Sequence, residues 1–406
     1  MRTIYKAIAL FGMLFMVLSL SLISANASYQ KALVQDNSEF ALDLYQTLRT
    51  SKDNIFLSPY SISTALAMTY AGVRGETEKQ MQKTMHFSLS QDKLHPAFSK
   101  LQDKLEKVQK EGRVQLHVAN SLWPHKEYPF RKEFLGLVKE YYKTDITVLD
   151  YARQSEKARN TINTWVEDKT RDKIKELIKP GVLDVLTRLV LVNAIYFKGN
   201  WASQFDKKQT RNILFKVSLD KTVKTPMMYQ KGQFGYWADK DLQVLKMPYI
   251  GKQLSMVVLL PTRIDGLPQL EKKLNIENLR RWTIQLRKRK VATWLPKFKL
   301  KCDFRLDKAL QGMGMVDAFT DNADFSGMDG TDWLYLSAVL HKAFIDVNEE
   351  GTEAAAATAV VVVKQASIHM DPQFRADHPF VFLIQENQTK SILFLGRMND
   401  PTKTGE

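Results

Sequence analysis

Apolar positions along the chain change from helical spacing in the first half to continuous and alternating runs in the second half. Phe40, Leu44 and Leu48 recur at intervals of four, whereas residues 186–197 form an apolar run typical of a strand buried on both faces. The pattern predicts helices over residues 36–48, 59–71, 92–109, 130–143, 156–177 and 267–289. It predicts strands over residues 54–57, 113–123, 186–197, 291–300, 334–348, 380–384 and 391–397, with several more between 210 and 260. Early helices and later strands indicate the α+β class, with antiparallel or mixed sheets.

One segment, residues 349–363, has conflicting local preferences. Its sequence, EEGTEAAAATAVVVV, passes from alanines that favour a helix to valines that favour a strand. With the strand period of two, one face carries only small or β-branched uncharged residues: Thr352, Ala354, Ala356, Thr358, Val360 and Val362. The segment is therefore compatible with both an exposed loop and a buried strand, a conflict that is expected at a functional site.

The N-terminus has the pattern of a secretory signal peptide. Arg2 and Lys6 precede an apolar stretch over residues 7–23, and Ala25-Asn26-Ala27 supplies a cleavage site before Ser28. The alternative is an uncleaved membrane anchor, since the stretch is near the lower limit for crossing a bilayer. We expect residues 1–27 to be the signal peptide and residues 28–406 to form a single domain, because no linker or repeat divides them.

Composition and motifs exclude several function classes. The single cysteine, Cys302, allows no intramolecular disulfide and is interpreted as a packed thiol. The chain has no G-x-S-x-G, H-E-x-x-H, C-x-x-C or phosphate-binding loop, and its seven histidines lack metal-ligand spacing. We therefore expect no enzyme, no metal and no cofactor. The net charge of +15 favours contact with polyanions.

Several motifs together resemble the serpin family. They run in family order from about residue 36 to residue 401: NIFLSPYSISTALAM from Asn54, INTWVE from Ile162, LVNAIYFKGNW from Leu191, HKA from His341, VNEEGTEAAAATA from Val347, HPFVF from His378 and ILFLGR from Ile392. The resemblance implies three sheets, eight or nine helices and a reactive loop over about residues 349–378, held above a five-stranded sheet.

The function implied by the resemblance is that of a suicide inhibitor of serine proteases, which we expect to be a monomer. Together with the signal peptide pattern, this predicts a secreted protein with no membrane association after signal cleavage. In this family a protease cleaves the loop and forms an acyl-enzyme, and the loop then inserts into the sheet as a new strand. The alternatives are a non-inhibitory serpin acting as a carrier, chaperone or storage protein, and an inhibitor of cysteine proteases. The location implied is extracellular, or periplasmic in a Gram-negative bacterium.

The resemblance also carries over residues. Its hinge matches Glu349, Gly351, Thr352, Ala354, Ala356 and Thr358. A polar cluster beneath the point where the sheet opens matches Ser58, Ser61, Asn193 and His341, and Trp201 matches a tryptophan at the top of the sheet. For these five residues the alternative is ordinary core packing, and both roles are compatible.

The scissile bond is left open between neighbouring positions. The family's spacing from Gly351 places it at Gln365–Ala366. A shift of one residue gives Lys364–Gln365, which suits a trypsin-like protease with an acidic pocket. Cleavage after Val363 would suit an elastase-like protease.

A basic cluster is a candidate site for a glycosaminoglycan or another polyanion. It consists of Arg280, Arg281, Arg287, Lys288, Arg289 and Lys290. Pairs seven residues apart would share a face of the predicted helix over residues 267–289. The alternative is a solvated basic helix end.

Overall fold

The computed structural model describes residues 27–50, 52–112, 114–144, 146–352 and 371–404. The helices are α1 (27–48), α2 (Pro59–Tyr70), α3 (Gly75–Thr84), α4 (Gln91–Gly112), α5 (Lys132–Tyr142), α6 (Tyr151–Lys169), α7 (Leu267–Lys273), α8 (Ile276–Ile284), α9 (Asp307–Gly312) and α10 (Ser326–Asp329). Among the residues described, no helix is both long enough and apolar enough to cross a membrane. The predicted signal peptide lies almost wholly outside the described residues.

The strands outnumber the helices and lie mostly in the second half of the chain. They are β1 (Ile55–Leu57), β2 (Gln115–Pro124), β3 (Leu189–Asn200), β4 (Arg211–Lys216), β5 (Thr222–Ala238), β6 (Leu242–Pro248), β7 (Leu254–Pro261), β8 (Arg287–Pro296), β9 (Phe298–Arg305), β10 (Leu336–Val347), β11 (Gly351–Thr352), β12 (Gln373–Arg375), β13 (Phe380–Glu386) and β14 (Ile392–Met398). The predicted α+β class is confirmed.

The strands form two hydrogen-bonded networks. The main sheet has the order β2-β3-β11-β10-β9. The second network has the order β1-β14-β13-β7-β6-β5-β8-β12, with β4 also on β5. The three sheets that the resemblance implied appear as two networks because the long strand β5 pairs with β4 and β8 over most of its length and with β6 at its end.

The main sheet is covered on both faces. Leu189, Leu191 and Ile195 of β3 pack into the main hydrophobic core. The alternate residues Val190 and Val192 pack with side chains of α6 and of the linker that follows it, residues 170–188. This alternation explains why β3 has the continuous apolar sequence of a strand buried on both faces.

Two of the predicted helices end earlier than expected. The prediction of one helix over residues 267–289 was wrong, because Asn275 begins α8 by accepting a hydrogen bond from the Asn278 amide at 2.8 Å. The chain then enters β8 at Arg287, since ten residues of β8 pair with β5. Helix α6 ends at Lys169, and Arg171 and Asp172 have positive φ angles of 52° and 58°. Ile174 and Leu177, which the prediction of a helix over residues 156–177 included, are instead buried in the linker.

The single cysteine is packed, as expected. Cys302 lies in β9 within the main core, and burial raises the pKa of its thiol to about 12. A thiol with so high a pKa is a poor nucleophile, so Cys302 serves packing.

Candidate functional site

The candidate site is a junction in the middle of the main sheet, which we call the seam. It is the parallel pairing of β3 with β10, from Leu189 and Leu336 at its far end to Tyr196 and Phe344. Strands β2 and β9 flank it on either side. Beyond Tyr196 and Phe344, at the open end of the seam, β11 lies between the two strands.

Strand β11 is a short strand that lies between β3 and β10. Gly351 pairs with Asn200, and Thr352 pairs with both Gly199 and Val347. Both pairings are antiparallel. The predicted hinge residues Gly351 and Thr352 therefore lie where a strand would enter the sheet. The other predicted hinge residues Ala354, Ala356 and Thr358, and the candidate bonds from Val363 to Ala366, lie outside the described residues.

Gly351 is needed because the backbone approaches closely at this entry point. A Cβ atom at this position would lie 2.2 Å from the carbonyl oxygen of Gly199 and 2.4 Å from the Cα atom of Asn200. Such contacts are not compatible with any side chain. The glycine of the sequence pattern thus has a steric explanation.

The hinge is anchored by a buried carboxylate. Glu349 accepts hydrogen bonds at Oε1 from Thr210 Oγ1 at 2.8 Å and at Oε2 from Lys297 Nζ at 2.9 Å. Burial by itself raises the pKa of Glu349, but the bonds from Lys297, Thr210 and the backbone outweigh it and hold the pKa below its usual value. Glu350, which sequence reasoning missed, is also buried and pairs with Lys207.

Trp201 lies at the open end of the seam, in contact with the hinge. Its Nε1 donates to the carbonyl oxygen of Asn348 at 3.0 Å, and its backbone amide donates to the carbonyl oxygen of Glu350 at 2.9 Å. The indole stacks on Tyr249 with ring centroids 4.7 Å apart. Both interpretations of Trp201 therefore fit, because one side chain packs in the core and also holds the hinge.

A buried polar network crosses the closed part of the seam. Asn193 and His341 are direct register partners across it, and the imidazole Nδ1 bonds to Asn193 Oδ1. Asn193 Nδ2 donates to Ser61 Oγ and to Asn120 Oδ1. The backbone amide of Ser58 donates to His341 Nε2 at 3.1 Å. The predicted cluster Ser58, Ser61, Asn193 and His341 is thus brought together.

Asn120 is a network member that sequence reasoning missed. It lies on β2 as the register partner of Asn193, and its Oδ1 also accepts from Ser61 Oγ at 3.0 Å. In the sequence it is one polar residue among alternating ones in a strand, which is typical of a solvated face. Only the packing of α2 against the sheet turns it inward.

The hydrogen bonds fix the tautomer and charge of His341. Because Nε2 accepts from the Ser58 amide, Nδ1 carries the proton and donates to Asn193. Complete burial lowers the pKa of His341 to about 3. The hydrogen bonds join α2, β2, β3 and β10 only with a neutral imidazole, and we call this network the latch.

We expect acid to weaken this latch. Below about pH 6.5 the unfolded chain binds a proton that His341 in the folded protein does not bind, so stability falls as the pH drops from 6.5 towards 3. The loss at pH 5 relative to pH 8 is about 2 kcal/mol from this group. The measurement is urea unfolding of wild type and of His341→Gln at both pH values. The variant should lose about 2 kcal/mol less on acidification. Equal losses in both proteins would contradict the role given to His341.

The basic cluster does not lie on one helix face, which corrects the prediction. Arg280 and Arg281 belong to α8, whereas residues 287–290 open β8, and all six side chains are exposed. Arg287 donates to the carbonyl oxygens of Ile284 at 2.9 Å and Leu286 at 3.1 Å, so it caps the end of α8. Along β8 the four basic side chains alternate between two faces.

In the part of the chain that the structure describes, no group of three or more His, Cys, Asp and Glu side chains is placed to hold a metal ion. Among the buried charged groups, the two hinge carboxylates pair with lysines. The ammonium of Lys342 on β10 is also buried and donates to the carbonyl oxygens of Lys175 at 3.0 Å and Glu176 at 3.3 Å.

Comparison with known proteins identifies the family. The family description "Serpin (serine protease inhibitor)" matches residues 35–401. The leukocyte elastase inhibitor of Xenopus laevis is 43% identical over 373 residues, covering 90% of this chain and 98% of the relative. Serpin B3 of Homo sapiens is 42% identical over 390 residues, covering 91% of this chain and 100% of the relative. The chain belongs to the serpin family, which is described as one of serine protease inhibitors and not of enzymes.

Solved structures agree with this assignment. Uncleaved ovalbumin superposes with a TM-score of 0.82 at 32% identity, covering 91% of this chain and 100% of ovalbumin. Serpin48 of the insect Tenebrio molitor gives a TM-score of 0.81 at 34% identity and covers 91% of this chain and 98% of its own. The predicted serpin fold is confirmed.

Proposed function

We propose that the protein is a suicide inhibitor of serine proteases that traps its target by inserting the cleaved loop into the seam. The observation that carries this proposal is the position of β11, which already pairs antiparallel with both β3 and β10. Membership in a family of serine protease inhibitors supports the reaction class.

The two registers of β11 agree on where the rest of the loop would go. Continuing from Thr352, residue 355 would meet Tyr196 through the β3 register and Phe344 through the β10 register. Tyr196 and Phe344 are at present partners of each other. An inserted strand would therefore fit between existing partners with no change of register along either neighbour, after the two strands have moved apart by about 5 Å, one strand spacing. Thr358 would then lie between Asn193 and His341.

The same register decides which loop residues face the core. Directly paired residues point to the same side of a sheet, and Leu191, Asn193 and Ile195 point toward the main core and α2. The small uncharged face identified in the sequence, from Thr352 to Val362, would face this core. Glu353 would point to the other side. Insertion is thus compatible with the side chains on both faces.

The energy balance favours insertion. The seam gives up its eight parallel register pairs, whereas an inserted strand of about ten residues makes antiparallel ladders on both sides. The gain is roughly ten hydrogen bonds net, on the order of 10 kcal/mol. This is as large as the whole stability of an ordinary domain. Cleavage of the loop frees the part before the scissile bond, which can then move into the seam.

Trapping depends on two competing reactions of the acyl-enzyme, insertion of the loop and hydrolysis. The protease serine Oγ adds to the carbonyl carbon of the scissile residue, and the amine on the far side of the bond leaves with a proton. The resulting ester joins the protease to the part of the loop that inserts. Trapping succeeds when insertion is faster than hydrolysis of the ester by water.

The identity of the target is part of the proposal. Several relatives are named leukocyte elastase inhibitor, which supports a serine protease of the elastase kind and cleavage after Val363. Lys364 and Gln365 remain candidates for cleavage by a trypsin-like protease.

The experiment that tests the function is a denaturing gel of the protein after incubation with elastase, trypsin, subtilisin or a papain-type protease. We expect an adduct of summed mass with a serine protease, together with a small C-terminal fragment. A fragment beginning at Lys364, Gln365 or Ala366 identifies the bond as following Val363, Lys364 or Gln365. Cleavage by every protease with no adduct would instead support a non-inhibitory serpin.

We also propose that the protein is secreted. The apolar stretch over residues 7–23 and the Ala25-Asn26-Ala27 motif support this, and the family match begins only at residue 35. The test is expression in a cell with a secretory pathway and N-terminal sequencing of the product. A mature chain beginning at Ser28 outside the cell is expected, whereas retention with an intact N-terminus would contradict it.

The basic turn between α8 and β8 is proposed as a polyanion site. Arg280 and Arg281 lie in the second half of α8, which ends at Ile284, and residues 287–290 begin β8, so six exposed cations lie near the connection between the two elements. Neutralising Lys288 and Lys290 to glutamine should lower the salt concentration at which the protein leaves a heparin column. The matched control is Lys132→Gln with Lys139→Gln on α5, which removes the same charge elsewhere. If both variants leave the column at equally lowered salt concentrations, retention depends on net charge alone and the proposed site is contradicted.

A further inference from the structure

A row of three side chains crosses the outer face of the second strand network. Tyr229 on β5 is the register partner of Trp294 on β8, and Trp294 is also the register partner of Arg375 on β12. The ring centroids of Tyr229 and Trp294 are 4.8 Å apart, and the guanidinium carbon of Arg375 lies 5.6 Å from the centroid of the Trp294 ring. We call these three residues the Tyr-Trp-Arg row.

The row lies on the solvent side of its strands. Thr293 and Phe374, the residues just before Trp294 and Arg375, are fully buried, and successive residues of a strand point to opposite faces. The side chain of Arg375 is 47% exposed, and both aromatic side chains are partly exposed. The amide of Ala376 donates to the carbonyl oxygen of Trp294 at 3.0 Å. The row is therefore an outward surface on a fixed backbone.

This surface adjoins the end of the reactive loop. After the loop, the described chain resumes at Asp371, and β12 begins two residues later. Lys231 Nζ lies 2.6 Å from Asp371 Oδ2, and Lys231 shares the face of Tyr229 because the two are two residues apart on β5. The loop thus rejoins the sheet on the face that carries the row.

The length of the loop brings a bound protease to this surface. The candidate scissile residues from Val363 to Gln365 precede Asp371 by six to eight residues, so the bond lies at most ~28 Å from Asp371. A protein interface of standard size covers about 800 Å² on each partner and is therefore ~30 Å across. A protease that holds the bond also lies over the surface where the loop rejoins the sheet.

The residue types of the row are those that dominate binding energy at protein interfaces. Tryptophan, tyrosine and arginine are the types most enriched among such residues, which lie at the centre of an interface inside a polar rim. Here the rim is formed by the ion pair of Lys231 with Asp371 and by the exposed side chain of Gln373. Because the three side chains already stack on one another, a partner has little ordering left to impose.

We propose that the Tyr-Trp-Arg row is a second contact surface for the protease that attacks the loop, and that it favours proteases with an apolar surface bordered by acidic residues beside the active site. The identity of the partner rests on the proposed function. The acidic border follows from charge complementarity, because the exposed Lys288 and Lys290 continue along the same face of β8 as Trp294.

The row acts on capture of the protease and not on trapping. None of its residues belongs to the seam, the latch or the hinge. Loss of the row should therefore slow the first encounter, in which the loop is still intact. The share of cleaved molecules that end as adduct should stay the same, because that share is decided later by the rate of insertion.

The test compares wild type with Trp294→Ala and with Arg375→Ala. Each protein is incubated with elastase, trypsin or subtilisin, and two quantities are measured: the rate constant for loss of intact protein, and the ratio of adduct to cleaved product. With the protease that consumes wild type fastest, we expect each variant to be consumed about tenfold more slowly. The ratio should not change, and Trp294→Tyr should keep most of the wild-type rate.

The matched control is Trp333→Ala. Trp333 is 75% exposed and lies just before β10, beyond the opposite end of that strand from the hinge. This control should be consumed at the wild-type rate. If it is slowed as much as Trp294→Ala, the effect does not belong to the row and the inference is overturned. Equal thermal unfolding temperatures show that the variants are folded, and the half-exposed Arg375 supplies a variant that does not disturb the core.

The outcomes separate this inference from the proposed function. If wild type is cleaved without any adduct while both row variants are cleaved more slowly, the proposed function fails and the contact surface stands. If wild type forms an adduct and both row variants are captured at the same rate as wild type, only the contact surface is overturned. If no protease consumes wild type, both fail.

Discussion

Replacing Thr358 with arginine is expected to convert the inhibitor into an ordinary protease substrate. In the proposed inserted state, this position lies between Asn193 and His341, which are buried, inside a network whose members are all neutral. No carboxylate belongs to that network, so a guanidinium there would be an unpaired buried charge. Such a charge costs several kcal/mol, which corresponds to at least about a hundredfold fewer trapping events per cleavage.

The measurement is the ratio of adduct to cleaved inhibitor on a denaturing gel, at equal concentrations of protease. Cleavage of Thr358→Arg is expected at the wild-type rate, with almost no adduct. The control is Glu353→Arg, because Glu353 would face the opposite side of the sheet at a position that already holds a charge. If Thr358→Arg traps protease as efficiently as this control, the register deduced for the inserted strand is wrong.

Replacing Glu349 with lysine is expected to cause the largest loss of stability of the uncleaved protein. The carboxylate is buried and accepts bonds from Lys297 and Thr210. A lysine there would leave two ammonium groups facing each other with no anion between them. Breaking a buried pair in this way costs about 3–5 kcal/mol. The segment that leads into β11 would no longer be held by this ion pair. We therefore also expect spontaneous self-association of the protein.

The checks are thermal unfolding, which reports the lost stability, and size-exclusion chromatography after mild warming, which reports self-association. The charge-swapped variant, Glu349→Lys with Lys297→Glu, restores an ion pair with reversed polarity and should recover part of the stability. A charge-swapped protein no more stable than Glu349→Lys would show that the pair with Lys297 is not what holds the hinge.

The fold was predictable where a sequence pattern reflects one dominant contact. The continuous apolar run that becomes β3 is buried on both faces, and the pattern indicated this directly. Gly351 was predictable for a similar reason, because the close approach of Gly199 excludes every other residue. The small uncharged face predicted from Thr352 to Val362 is the face that would point to the main core if the register of β11 continued.

Other features depend on contacts between segments far apart in the chain. The basic residues from Arg287 have good helix propensity, yet they form a strand because β5 pairs with them. Asn120 belongs to the latch because Ser61, on a helix 59 residues earlier, packs against its strand. A pattern within one segment does not contain such partners. The same holds for Glu350, whose burial depends on Lys207 and Trp201.

The central claim is that trapping requires the seam to open, and a reversible lock across the seam tests it most directly. Val192 and Leu340 are direct partners in the parallel pairing, so cysteines at both positions can form a disulfide. The native Cys302 is buried and stays in place. Adduct formation is then measured for the same protein when oxidised and when reduced. We expect the oxidised protein to be cleaved without forming an adduct and the reduced protein to trap the protease. An oxidised protein that traps the protease as well as the reduced one would contradict the account.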